Sequence, residues 1–321
     1  MDAMAPKLGK RKPAFTRVKP SGFTLTARDE AMILAVARHR CMSSEQIILL
    51  LGGGSHQKVL RRLRLLFDAG YLARPSAQKR YFAGATPMVY LVGNRGADLA
   101  ARKFGLRRAA VDWTAKARTA DRGALNHALD TTAFMVAVET ACQRAGHLDL
   151  IPFDEILATL APRDTRESPR PYHFPVPVRF EGKPAEVYVI PDRTFGIRDR
   201  ARPAGRNQKY LFLEMDRGTQ PVVRRQLAQS SILRKLLAYG ATHREGVHER
   251  VYGLNNFRVL FVTTGRTRID TMIEAYRAHR TTIAASPRLF LFADRAGLLG
   301  CPDFFGYEWL DAEGQPHRLL D

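Results

Sequence analysis

Two kinds of apolar run alternate along residues 125–294, and their order restricts the fold more than any other feature of the chain. NHALDTTAFMVAVETACQRAG (126–146) reads as a long helix with Phe134, Val138, Ala141 and Cys142 on its buried face. Short runs bounded by turn residues follow: a strand near 148–151, then VPVRF, AEVYVIPD, RTFGI and YLFLE. Pro221 suits the first turn of a helix running to Gly240. FRVLFVTT then reads as a buried strand, TRIDTMIEAYRAHR as a helix and RLFLFA as a further strand. The order helix, strand, strand, strand, helix, strand, helix, strand implies a mixed sheet, antiparallel at its start and closed by crossovers, with helices on its faces.

Residues 23–92 follow a different pattern. Thr26 with Asp29 predicts a capping box ahead of ARDEAMILAVARHR, and Ser43–Ser44 opens a second helix that GGGS (52–55) breaks. In the third helix, HQKVLRRLRLLFDAG, Val59, Leu63, Leu66 and Phe67 share one face. Gln57, Arg61, Arg64 and Asp68 fall opposite, with Lys58 and Arg62 on the flanks. YLAR and MVYLV then read as two strands joined by a wing carrying Lys79 and Arg80. Helix, helix, turn, basic helix and hairpin make a winged helix-turn-helix pattern. Arg61 and Arg64 are expected at base edges, and Lys58, Arg62, Lys79 and Arg80 at phosphates.

The charge agrees with this reading: 51 Lys plus Arg against 31 Asp plus Glu give the chain a net +20. A positive field of that size attracts polyanions, phosphate backbones above all. Cys41, Cys142 and Cys301 lack metal-ligand spacing and read as thiols of a reducing cytoplasm. The first 22 residues carry Lys7, Lys10, Arg11, Lys12, Arg17 and Lys19 among prolines and are expected to form a disordered basic arm, not a secretory signal.

Asp192 ends VIPD, and Glu214 and Asp216 close LFLEMD. Residues two apart on a strand share a face. Pairing of AEVYVIPDRTFGI beside YLFLE would bring Asp192 to both. Three such carboxylates suit a magnesium ion, which can activate water on a phosphodiester. Each also has a plainer reading: partners for neighbouring arginines, caps for a helix starting near 220, or a turn residue after proline.

The arrangement over residues 125–264 resembles the PD-(D/E)xK nuclease fold, with Asp216 where that pattern places lysine. Lys235, on the following helix, is placed to supply the ammonium. Residues 25–265 also resemble the replication-relaxation family, through the NHAL helix start, PDRTFGI, LEMDRGT and the Lys235–Tyr239 helix. The first resemblance implies a catalytic set of Asp192, Glu214, Asp216 and Lys235, with Asp192, Glu214 and Asp216 binding the metal. The second implies a role in plasmid or mobile-element replication, relaxation or mobilisation.

The chain is therefore expected to be α+β. A basic arm (1–22) precedes an N-terminal winged helix-turn-helix domain with a trailing helix (23–116) and a restriction-endonuclease-like α/β domain with a mixed sheet (117–321). Three functions stay open. One is a cytoplasmic binder of double-stranded DNA that recruits a relaxase or replication initiator, with the Arg-rich loop 198–206 adding phosphate contacts. The others are a magnesium-dependent endonuclease and a transcriptional regulator.

Overall fold

The computed structural model describes residues 14–79, 86–108 and 121–321, and the chain separates into two compact units, Met1–Thr132 and Ala133–Asp321. The described fold is a mixture of α and β, and its larger sheet is mixed in strand direction. Arg80 and residues 1–13 lie outside the described residues, as does the expected boundary near 117.

In the first unit α1 (Ala27–His39), β1 (Met42–Ser43), α2 (Ser44–Leu51) and α3 (His56–Asp68) come first. β2 (Leu72–Ala73), α4 (Ser76–Lys79), β3 (Val89–Val92) and α5 (Asn94–Phe104) follow, then the start of α6 (Arg122–Ala145). Thr26 and Asp29 form the expected capping box of α1, and Ser43 and Gln46 form another on α2. Gly52, Gly53 and Gly54 all have positive φ, which lets the chain reverse tightly between α2 and α3. β1, β3 and β2 form a sheet in that order, all antiparallel. The buried Gln78 side chain bonds the amide and carbonyl of Val89 at 2.9 and 2.8 Å, so the short α4 is tied to β3.

Residues 16–18 are not a free arm. Val18 N–H donates to Asp68 at 3.0 Å, and the Thr16 carbonyl accepts from Arg64 at 2.8 Å. The Arg17, Arg64 and Arg74 guanidinium groups all lie over the Phe67 ring, 4.3–5.6 Å from its centroid. That cation–π cluster seats the segment on the C-terminal end of α3.

The second unit contains the rest of α6, β4 (Leu148–Ile151), α7 (Phe153–Thr159) and α8 (Arg163–Glu167). The hairpin β5 (Phe174–Phe180) and β6 (Lys183–Val189) follows, then β7 (Arg193–Asp199), β8 (Gln208–Met215), α9 (Ile232–Arg244) and α10 (Val247–Tyr252). β9 (Arg258–Thr263), α11 (Arg266–Ala278), α12 (Arg280–Ile283), β10 (Phe290–Asp294), α13 (Arg295–Gly300), β11 (Trp309–Asp311) and β12 (Pro316–His317) complete it. The main sheet runs β12-β11-β10-β9-β8-β7-β4. β4, β7 and β8 are antiparallel neighbours, and β8, β9 and β10 are parallel, as the crossovers through α9 and α11 require.

Alternation along β8 divides the core. Leu211, Leu213 and Met215 pack with Phe134, Val138 and Cys142 of α6. Phe212 packs on the other face, with Leu236 and Tyr239 of α9. Burial within this core pushes the Cys142 thiol up to about 12, so it stays protonated at neutral pH.

Two expectations fail here for physical reasons. β5 and β6 pair only with each other, outside the main sheet. Pro175, Pro177 and Pro184 cannot donate to a further strand. The helix expected from Pro221 begins only at Ile232. There Ser231 Oγ accepts from Arg234 N–H at 3.1 Å, and the Pro221 and Val222 carbonyls accept from Ile232 and Leu233. The intervening loop thus caps the helix instead of belonging to it.

Candidate functional site

Two places concentrate the residues singled out by sequence, one in each unit. In the first unit they lie on α3. Its inner face is Val59, Leu63, Leu66 and Phe67, all buried, as periodicity requires. Gln57, Lys58 and Arg61 are exposed on it, and Lys79 is exposed at the end of α4. Arg62 and Arg64 are engaged within the unit. Arg62 Nε donates to Asp29 at 2.9 Å and Nη2 to the Thr24 carbonyl at 3.0 Å. Burial would raise the Asp29 pKa, but its bonds from Arg62 and Thr26 outweigh that and hold it below its ordinary value. Arg64 donates to Asp68 at 2.8 Å, one helical turn on, and its side chain is only 21 % exposed. Arg64 therefore does not stand outward beside Arg61.

In the second unit the strand register brings Asp192 to Glu214. Arg193 pairs with Leu213, and the next step places Asp192 beside Glu214 at the end of β8. Asp192 N–H donates to the Leu213 carbonyl at 3.0 Å, and its Oδ2 accepts from Met215 N–H at 2.8 Å. Glu214 is 2 % exposed. One of its oxygens accepts from Lys235 Nζ and the other from the Tyr239 hydroxyl, both at 2.5 Å. Lys235 and Tyr239 lie four apart on α9, so one helix face delivers both donors. Burial raises the Glu214 pKa. Burial works the other way on Lys235, but Glu214, then Asp192 and Asp216, outweigh it and raise its pKa. The four expected residues thus interact electrostatically.

Asp216 lies just past β8 and has its own partners. Oδ2 accepts from Thr263 Oγ1 at 2.5 Å and Arg268 Nε at 3.0 Å, and Oδ1 accepts from Arg268 Nη2 at 3.2 Å. Arg268 also reaches the Gln220 carbonyl, which ties the loop before α9 to α11. The helix-capping reading of Asp216 therefore has no helix to cap.

The donor set does not suit a divalent cation. Both oxygens of Glu214 and both of Asp216 are occupied by cationic or hydroxyl donors of the chain itself. Among the described residues, no group of three or more His, Cys, Asp or Glu side chains could hold a metal ion. Glu155 pairs with Arg198 at 2.9 Å. His243 and His248 stack with ring centroids 5.6 Å apart. Three arginines of the Arg-rich loop are paired: Arg198 with Glu155, Arg200 with Asp149 and Arg202 with Asp199.

Tyr239, Thr263 and Arg268 were not identified as site residues from sequence. The first had a visible signal, its position one turn beyond Lys235. The other two had none, because their partner lies 47 and 52 residues away.

A family model described as replication-relaxation matches residues 34–258, and the chain belongs to that family. The match takes in both α3 and the Asp192–Glu214–Lys235 cluster. No curated protein and no solved structure matches the chain. Membership ties the chain to plasmid or mobile-element replication and relaxation. Among the described residues, no helix is long and apolar enough to cross a membrane.

Proposed function

We propose that the chain is a DNA-binding protein of plasmid or mobile-element replication or relaxation. In this reading its first unit is a winged helix that docks α3 in a duplex groove, and its second is a nuclease-like fold used without cleavage. The observation that carries the duplex reading is the exposed row Gln57, Lys58 and Arg61 on α3, above a fully buried apolar face. The order of α1, β1, α2, α3, β2 and β3, with β3 between β1 and β2, supports a winged helix. A major groove admits one α-helix, and Arg61 has the reach and donor fork for a guanine edge. Lys58 and Lys79 supply phosphate contacts. In the second unit, α6 followed by β4, β7, β8, α9 and β9 supports a nuclease-like core with an inserted hairpin. The internal bonding of Glu214 and Asp216 favours a structural use of that core. A partner such as a relaxase or replication initiator would then be recruited to the bound site.

Fluorescence anisotropy on a labelled duplex library tests the reading. Arg61→Ala should weaken duplex binding by about 1–3 kcal/mol with the melting temperature unchanged. Arg64→Ala should lower the melting temperature and spare affinity, because Arg64 bonds Asp68 and Thr16. Equal losses of affinity from both substitutions would sink the docking of α3.

A further inference from the structure

The hairpin β5–β6 has one exposed face. Phe174, Val176, Val178, Val187 and Val189 point into the core that α9 shares. Pro175, Pro177 and Tyr188 alternate with them and are exposed. Cross-strand register sets Tyr188 opposite Pro175. Tyr188 is 48 % exposed and Ile190, the next outward position, 55 %. The His173 ring lies on Tyr188, with centroids 4.4 Å apart and planes 23° from parallel. His173, Tyr188 and Ile190 thus form a partly exposed shelf, and the chain reaches Asp192 two residues later. Glu186 is also exposed, but it stands one outward position further toward the hairpin turn.

One cation stands at the His173 end of the shelf. Arg170 is exposed, and its carbonyl accepts from His173 N–H at 3.1 Å, so it begins the turn that presents His173. On the separate loop before α9, Arg224 and Arg225 are exposed, and Arg224 donates to the Gln229 side chain at 2.7 Å. Their loop is pinned to the start of α9 where the Val222 carbonyl accepts from Leu233 at 2.9 Å, two residues before Lys235.

An exposed tyrosine stacked on a histidine beside an arginine takes a flat π-system joined to an anionic backbone. Duplex bases are stacked on each other and offer only their edges, whereas unpaired bases offer their faces. We propose that this shelf binds single-stranded DNA, with a base stacked on Tyr188 and its phosphate beside Arg170. The net charge of +20 makes an apolar protein partner a poorer occupant than a polyanion. The proposal deepens the DNA reading by naming a second form of DNA, and it rests on residues independent of α3. It would let one chain hold duplex and melted strand together, as opening of a replication or nicking site requires.

Binding of fluorescein-labelled oligo(dT) and of labelled duplex by the full chain tests it. Tyr188→Ala should weaken oligo(dT) binding roughly 10-fold, the loss of one stacked base, and leave duplex binding unchanged. Tyr188→Phe should bind oligo(dT) like the parent. Arg61→Ala should do the reverse of Tyr188→Ala, weakening duplex and sparing oligo(dT). Tyr188 is exposed, so a melting curve matching the parent is expected and excludes misfolding as the cause. Parent-like oligo(dT) binding by Tyr188→Ala would overturn the proposal, as would no oligo(dT) binding by the parent. Should Arg61→Ala leave duplex affinity intact while Tyr188→Ala loses oligo(dT), the shelf stands and the α3 reading falls.

Discussion

Glu214→Ala is expected to lower the unfolding free energy by about 3–5 kcal/mol, the usual cost of breaking a buried ion pair from one side. The carboxylate is 2 % exposed and holds two donors, Lys235 Nζ and the Tyr239 hydroxyl. Removing it strands an ammonium whose side chain is 29 % exposed and a hydroxyl on a residue 1 % exposed. Urea denaturation checks this. Combining Glu214→Leu with Lys235→Met should recover most of the loss, because a well-packed apolar pair can replace a buried ionic one at little net cost. The pH dependence has a definite sign. The folded pKa of Lys235 lies above its ordinary 10.5. Its contribution to stability is therefore fully present below pH 10.5 and is lost as pH rises through the folded value. The stability gap between the parent and Lys235→Met should shrink in strong alkali. The same side-chain bonding predicts that the parent leaves supercoiled plasmid intact with magnesium. Magnesium-dependent nicking that disappears in Glu214→Ala would contradict the structural assignment of this cluster.

Arg268→Ala should cost a similar amount, about 3–5 kcal/mol, by the same mechanism at a second point. Asp216 is 7 % exposed and receives both prongs of the guanidinium. Without Arg268 the carboxylate keeps Thr263 but no cationic partner. Arg268→Lys should restore little, since an ammonium cannot reproduce the planar fork. Adding Asp216→Asn to Arg268→Ala should restore part of the loss by removing the stranded charge. Arg268 also bonds the Gln220 carbonyl, so its removal should free the loop before α9. Hydrogen exchange would register this as faster exchange of the Ile232 and Leu233 amides, which the loop carbonyls of Pro221 and Val222 now protect.

Elements with strong periodicity were legible. α3 buried the four residues its pattern selected, and β8 and β9 lie side by side where apolar runs marked them. The capping boxes at Thr26 and Ser43 were legible because both partners sit within one turn. Less local features were not. The start of α9 is set by Ser231 and by two loop carbonyls, which outweigh the attraction of Pro221 to a first turn. β11 and β12 are very short and add to the sheet edge through residues with little strand pattern. The electrostatic site was half legible. Asp192, Glu214, Asp216 and Lys235 could be collected from strand ends and a helix. What each one bonds depends on Tyr239, Thr263 and Arg268, brought in by tertiary packing. On α3, helical periodicity put Arg64 on the outer face. It could not show that Phe67, Asp68 and residues 16–18 draw that side chain in.

The central claim is that α3 presents Lys58 and Arg61 to duplex DNA. Its most direct test is the salt dependence of duplex affinity, compared between the parent and Lys58→Ala/Arg61→Ala. Affinity of the parent should fall steeply with salt. In the double variant the slope should be shallower by about 1, for the phosphate that Lys58 no longer neutralises, with weaker binding at every salt concentration. Curves that superimpose for the two proteins would contradict it.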